Sequence, residues 1–145
     1  MKIAWWRGTK IKWNDMKFER TFSNAPWESQ VGYCRAIKAG NTIYVTGTAA
    51  VDEEGKPFAP GNAYAQTRKC LELIDSALKK LGADLTHVVR TRMFVTDISR
   101  WAEYGKAHRE CFGSNPPATT MIEVKSLIDP AMLIEIEAEA IGVSS

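Results

Sequence analysis

Histidine, cysteine and long apolar runs are scarce in this chain of 145 residues, and each scarcity removes a class of function. The two histidines, His87 and His108, are far apart and have no metal-ligand spacing around them. Cys34, Cys70 and Cys111 are odd in number and widely separated, so neither a disulfide framework nor a paired-thiol metal site is expected. No uncharged apolar run reaches the length of a membrane-spanning helix. The opening stretch, MKIAWWRGTKIKWND, lacks the continuous apolar segment and small-residue cleavage site of a signal peptide. These absences predict a reduced, cytoplasmic protein that uses no metal and no membrane.

With 45% apolar and 25% charged residues, the chain has enough core for one globular domain. Its net charge of +2 is unevenly spread. Lys2, Arg7, Lys10 and Lys12 against Asp15 give residues 1–15 a sum of +3, which leaves −1 for residues 16–145. Trp5, Trp6 and Trp13 lie in the same basic stretch. Such an arm could stack on single-stranded nucleic acid. It also fits a poorly packed or non-native leader, since Met16 opens a tidier pattern and would serve as a start. The leader reading is preferred, with residues 16–145 as the single domain. A body of slightly negative charge argues against nucleic acid as the main partner.

Residues 16–22 alternate weakly, as an edge strand would, and 23–29 read as a loop. Two β-rich runs, 33–38 and 42–51, flank Ala39-Gly40-Asn41, a hairpin signal. Gly47 inside the second run marks either a bulge or a place of close approach. After a polar loop at 52–60, Asn62 caps a helix whose stripe is Cys70, Leu71, Ile74, Ala77, Leu78 and Leu81, closed by Gly82. The clearest strand is 86–97. Val89, Thr91, Met93 and Val95 take one face, and Val88, Arg90, Arg92, Phe94 and Thr96 the other. Arginines on a strand demand carboxylates, a wet cleft or another subunit. A second helix, 99–112, carries the stripe Trp101, Tyr104, His108, Cys111 and Phe112. On it His108 reads as a core histidine and Cys111 as a small core hydrophobe.

Residues 115–140 predict two further strands. Pro116 and Pro117 mark the entry of the first, with Thr119, Met121 and Glu123 opposite Thr120, Ile122 and Val124. Asp129-Pro130 breaks the chain before 133–140, where Ile134, Ile136 and Ala138 alternate strictly with Glu135, Glu137 and Glu139. Same-side glutamates about 7 Å apart repel one another. They form a solvated face, or one of them lines a pocket. The order β-β-β-α-β-α-β-β predicts an α+β protein: a mixed sheet with two helices on one face, the other face left for self-association.

The segments GYCRAIKAGNTIYVTG, VVRTRMFVTDI and NPPATTMIEV…LIEIEAEA resemble the YjgF/Rid family of reactive-intermediate deaminases, also labelled endoribonuclease L-PSP. The resemblance spans roughly residues 23–141 and implies a chorismate-mutase-like fold. It also implies a homotrimer with the sheets as an inner barrel and a ligand cleft between neighbouring subunits. Deaminating members hydrolyse small imines and enamines without a cofactor. Carried onto this chain, Tyr33 matches a pocket tyrosine and Gly47 a glycine whose backbone lines the site. Glu135 matches the residue that positions the attacking water. Met121 stands where many members have a cysteine offering its backbone N–H, and Phe94 falls in the pocket-facing segment.

The sequence departs from that pattern at Thr119, where deaminating members carry the arginine that forks the substrate carboxylate. A lost bidentate contact of that kind costs a few kcal/mol, about two decades of affinity. Gly105 also replaces an asparagine common near the pocket. Arg92, on the face of Phe94, could supply the missing charge to the cleft beside Glu135. Alternatively it pairs structurally with Glu123 or Glu137. Three functions follow in order: a hydrolase acting on C=N bonds of a small, acidic metabolite; a non-catalytic module binding a small molecule or protein; and, last, a ribonuclease.

Overall fold

The computed structural model describes residues 17–142, together with the backbone of two short strands ahead of them. These are β1 (Ala4–Trp6) and β2 (Thr9–Ile11), paired antiparallel in a sheet of their own. What was expected of the leader's tryptophans lies outside the described residues.

The main sheet has six strands: β3 (Phe18–Thr21), β4 (Ala36–Ala39), β5 (Thr42–Ala49), β6 (Val88–Val95), β7 (Ala118–Glu123) and β8 (Ile134–Ile141). Their spatial order is β3-β4-β5-β8-β6-β7, with β6 and β7 parallel and every other pair antiparallel. The last two strands in sequence are therefore not neighbours, because β6 lies between them. Helices α2 (Ala63–Lys79) and α3 (Trp101–Phe112) pack against each other, and α2 lies against β5 and β8. Asn62 caps α2 by accepting from the Ala65 N–H at 2.9 Å. The core lies between sheet and helices, filled by Ile43, Leu71, Ile74, Leu78, Met93, Ile134 and Ile136, each at most 1% exposed.

Three local readings are corrected by the structure. The expected loop at 23–29 contains a short helix, α1 (Pro26–Val31). Pro26 presets its first turn, and the buried Glu28 carboxylate accepts from the Ser23 N–H at 3.0 Å and the Asn24 N–H at 3.2 Å. Second, the ladder of β6 slips between Val88 and Arg90. Val88 is consequently buried and Val89 is 46% exposed, the reverse of strict alternation. Third, Trp101 opens α3 and stays 64% exposed, since i, i+3 spacing cannot show how far the covering element extends. The expected close of α2 holds: Gly82, at φ 78°, donates to the Lys79 carbonyl at 3.2 Å and turns the chain so that the Ala83 N–H reaches the Leu78 carbonyl at 3.0 Å.

Strand β8 follows its pattern throughout: Ile134, Ile136, Ala138 and Ala140 are buried, and Glu135, Glu137 and Glu139 turn to the open face. Arg90 and Arg92 meet them there. Arg92 Nη1 lies 3.0 Å from Glu139 Oε1 and 3.5 Å from Glu137 Oε2, and Arg90 Nε 3.7 Å from Glu139 Oε2.

Candidate functional site on the open sheet face

Strand β8 places Glu135 directly across from Ala49 of β5 and Phe94 of β6. Side chains of directly paired residues share a face, so Phe94 and Glu135 are neighbours there. Beside them β5 bulges between Val45 and Thr48, and Gly47 is inside the bulge. Thr48 Oγ1 donates to the Thr46 carbonyl and Thr46 Oγ1 to the Cys34 carbonyl, both at 2.8 Å, which ties the bulge in place. Gly47 is there for room. A Cβ at this position would collide with Glu135 Oε1 and lie 2.9 Å from its Cδ. The family of readings for Gly47, bulge or close approach, thus holds in both senses.

Glu135 is half-buried, and its carboxyl is held above the ordinary range, chiefly by that burial. The positive charge of Arg35 pulls it back down and the neighbouring Glu137 pushes it further up. Arg35 Nη2 donates to the Gly47 carbonyl at 3.0 Å, and its guanidinium carbon is 5.7 Å from the centroid of the Tyr33 ring. Tyr33 in turn lines a groove of about 420 Å³ together with Phe22, Glu28 and Thr46. Arg35 is the residue that reading by sequence missed. The signal available was its position two residues after Tyr33, with Ala36 pointing into the core next to it.

Within one chain the open face gathers Gly47, Arg92, Phe94 and Glu135, with Tyr33 beside them over the Arg35 guanidinium. It does not gather Thr119 and Met121. These pair in register with Thr91 and Met93, which are buried under the helices, so they belong to the opposite side of the sheet at its β7 edge. Thr119 Oγ1 lies 2.9 Å from Thr91 Oγ1, which lies 2.9 Å from His108 Nε2. His108 is thus a partnered, half-buried histidine whose burial lowers its pKa. Gly105 sits on α3 with open space where a side chain would project. Among the described residues, no three His, Cys, Asp or Glu side chains converge on a point that could hold a metal ion. Nor, among them, is any helix long and apolar enough to cross a membrane.

A six-stranded mixed sheet with α2 and α3 on one face, and a glutamate seated over a bulge glycine on the other, define an α+β protein of the chorismate-mutase-like class. The chain belongs to the YjgF/Rid family: the family model described as Endoribonuclease L-PSP matches residues 22–142. It is similar in structure to a Mycobacterium tuberculosis member of the YjgF/YER057c/UK114 family, with a TM-score of 0.79 and 43% identity, covering 86% of this chain and 99% of that one. An uncharacterised Streptomyces coelicolor protein is 33% identical over 121 residues, 83% of this chain and 90% of its own length. The Homo sapiens protein named 2-iminobutanoate/2-iminopropanoate deaminase is 30% identical over 123 residues, 84% of this chain and 89% of that protein.

Proposed function

We propose that the protein is a homotrimer whose intersubunit clefts bind a small acidic metabolite and hydrolyse its C=N bond with a water held by Glu135. The observation that carries this reading is the half-buried Glu135 carboxyl, seated over Gly47 and raised above the ordinary carboxylate range. A base of that kind sits closer to the operating pH than a solvated glutamate does. Water adds to the imine carbon while Glu135 takes its proton, and the nitrogen receives that proton as the carbinolamine forms. The hydroxyl proton then passes to the nitrogen as the C–N bond breaks, releasing ammonia and leaving a C=O group. Only proton transfers are needed, so the reading calls for no cofactor. The name of the human relative supports this chemistry.

The open sheet face supports the assembly. It exposes Tyr44 at 48% and Ile122 at 46% beside the Arg–Glu ladder, a surface that a second copy would cover. Thr119 and Met121 lie on the opposite side of the sheet from Glu135, so a cleft using both sets draws them from different subunits. In this reading Tyr33, Gly47 and Phe94 surround Glu135, and Arg92 borders the cleft through its ion pairs. Purified protein given 2-aminoacrylate generated in situ should speed imine loss well above the buffer rate. Glu135→Gln should cut that excess by 100-fold or more, the usual worth of a positioned base. Imine decay at the buffer rate with wild-type protein would instead leave a binding module.

A further inference from the structure

We propose that Arg35 holds the ligand's anionic group, supplying from the entry of β4 the charge that is absent at Thr119; this rests on the cleft reading above. The guanidinium has five N–H donors in a planar fork. One side of it is anchored on the Gly47 carbonyl at 3.0 Å and its plane rests near the Tyr33 ring. Its Nε is buried with no hydrogen-bond partner among the described residues. Burying a guanidinium donor without an acceptor is costly, so Arg35 keeps hydrogen-bonding capacity that its protein neighbours do not use.

Glu135 does not take up that capacity. The charge of Arg35 reaches it, yet among the described residues no ion pair within 4.0 Å joins the two, whereas Arg92 spends its own charge on Glu137 and Glu139. Arg35 is therefore a fixed, partly unused fork beside the carboxyl assigned to the attacking water. A small planar 2-oxo or 2-imino acid matches this pair. Its carboxylate takes the fork, and its C=O or C=N carbon then points to the side where Glu135 stands. A bound carboxylate would also offset the positive charge that holds the Glu135 proton affinity down, making Glu135 a better acceptor for the proton of water.

The test is a titration of pyruvate, and of its neutral counterpart pyruvamide, into full-length wild type, Arg35→Gln and Arg35→Lys, followed by calorimetry or ligand-observed NMR. Wild type should prefer pyruvate. Arg35→Gln should lose about 10- to 100-fold in pyruvate affinity and nothing for pyruvamide, the loss of a charge-assisted contact. Arg35→Lys should recover part of the preference, since it restores charge without the fork. Equal pyruvate affinity in wild type and a folded Arg35→Gln overturns the assignment, and so does a wild type that treats the two probes alike. If Arg35→Gln fails to fold, a folded Arg35→Lys with undiminished pyruvate affinity overturns it instead. Binding needs no turnover, so the two readings fail separately. A protein inactive on 2-aminoacrylate whose pyruvate binding depends on Arg35 loses the hydrolase and keeps this site. An active one indifferent to position 35 does the reverse.

Discussion

Glu135 carries a carboxyl that the folded chain protonates more readily than the unfolded chain would, with burial as the main cause. The sign of the linked stability follows. A raised folded pKa means that the native state binds more protons than the unfolded state between the two pKa values. Stability is then lost as pH rises through that window, and the full penalty is present above it. Glu135→Gln should therefore melt higher than wild type at pH 7 to 8, with the difference vanishing below the ordinary carboxylate value of about 4.3. Melting temperature measured across pH checks this. A glutamine variant less stable than wild type at neutral pH would make the carboxylate a structural partner. Stability gained at the expense of hydrolysis is the trade expected of a group kept for chemistry.

At the scale of elements, the β5 bulge and β8 act as one device. The bulge removes a side chain at position 47 where β8 delivers a carboxylate. In Gly47→Ala the new methyl meets the end of the Glu135 side chain, Oε1 first, and then Cγ at 3.3 Å, with no backbone atom among the nearest contacts. A side-chain end can swing aside, so the variant should fold and assemble with a melting temperature within a few degrees of wild type. The displaced carboxyl should cost about 100-fold in hydrolysis, the worth of a misplacement of roughly 1 Å. Melting curves and steady-state rates run side by side decide it. Full activity in Gly47→Ala would remove Glu135 from the reaction, and collapse of the fold would make the bulge a purely structural need.

At the scale of the whole molecule, the described residues leave the sheet face that carries Glu135 and the Arg–Glu ladder half-exposed, with Tyr44 and Ile122 open to solvent. Ile122 stands in register with Phe94, on the face of Glu135 and Arg92. Light scattering at micromolar concentration should return three chain masses for wild type. Ile122→Glu, which adds a charge beside the Arg–Glu ladder, should shift the protein toward smaller species and lower hydrolysis with it. A wild type that stays monomeric would remove the basis for an intersubunit cleft.

Sequence alone determined most of the elements and the faces of β8 and α2, while it missed α1 and the slip of β6 at Val88. Strict alternation over Ile134, Ile136 and Ala138 against three glutamates, and the Cys70 to Leu78 stripe behind the Asn62 cap, admit one orientation each, because turning either around would bury charge. The resembling motifs placed Tyr33, Gly47 and Glu135 in one family pattern before any contact was known. Tertiary structure decided what stands opposite each residue. Arg92 meets Glu137 and Glu139 because β6 pairs with β8, while Glu123 turns elsewhere and accepts the Ile98 N–H at 3.1 Å. Arg35 meets Gly47 and the field of Glu135 because β5 runs between its own strand and β8. Periodicity is a property of one strand and its solvent, and it fixes the side to which a residue points. The neighbours on that side depend on strand order and bulges, which arise from packing between segments distant in sequence.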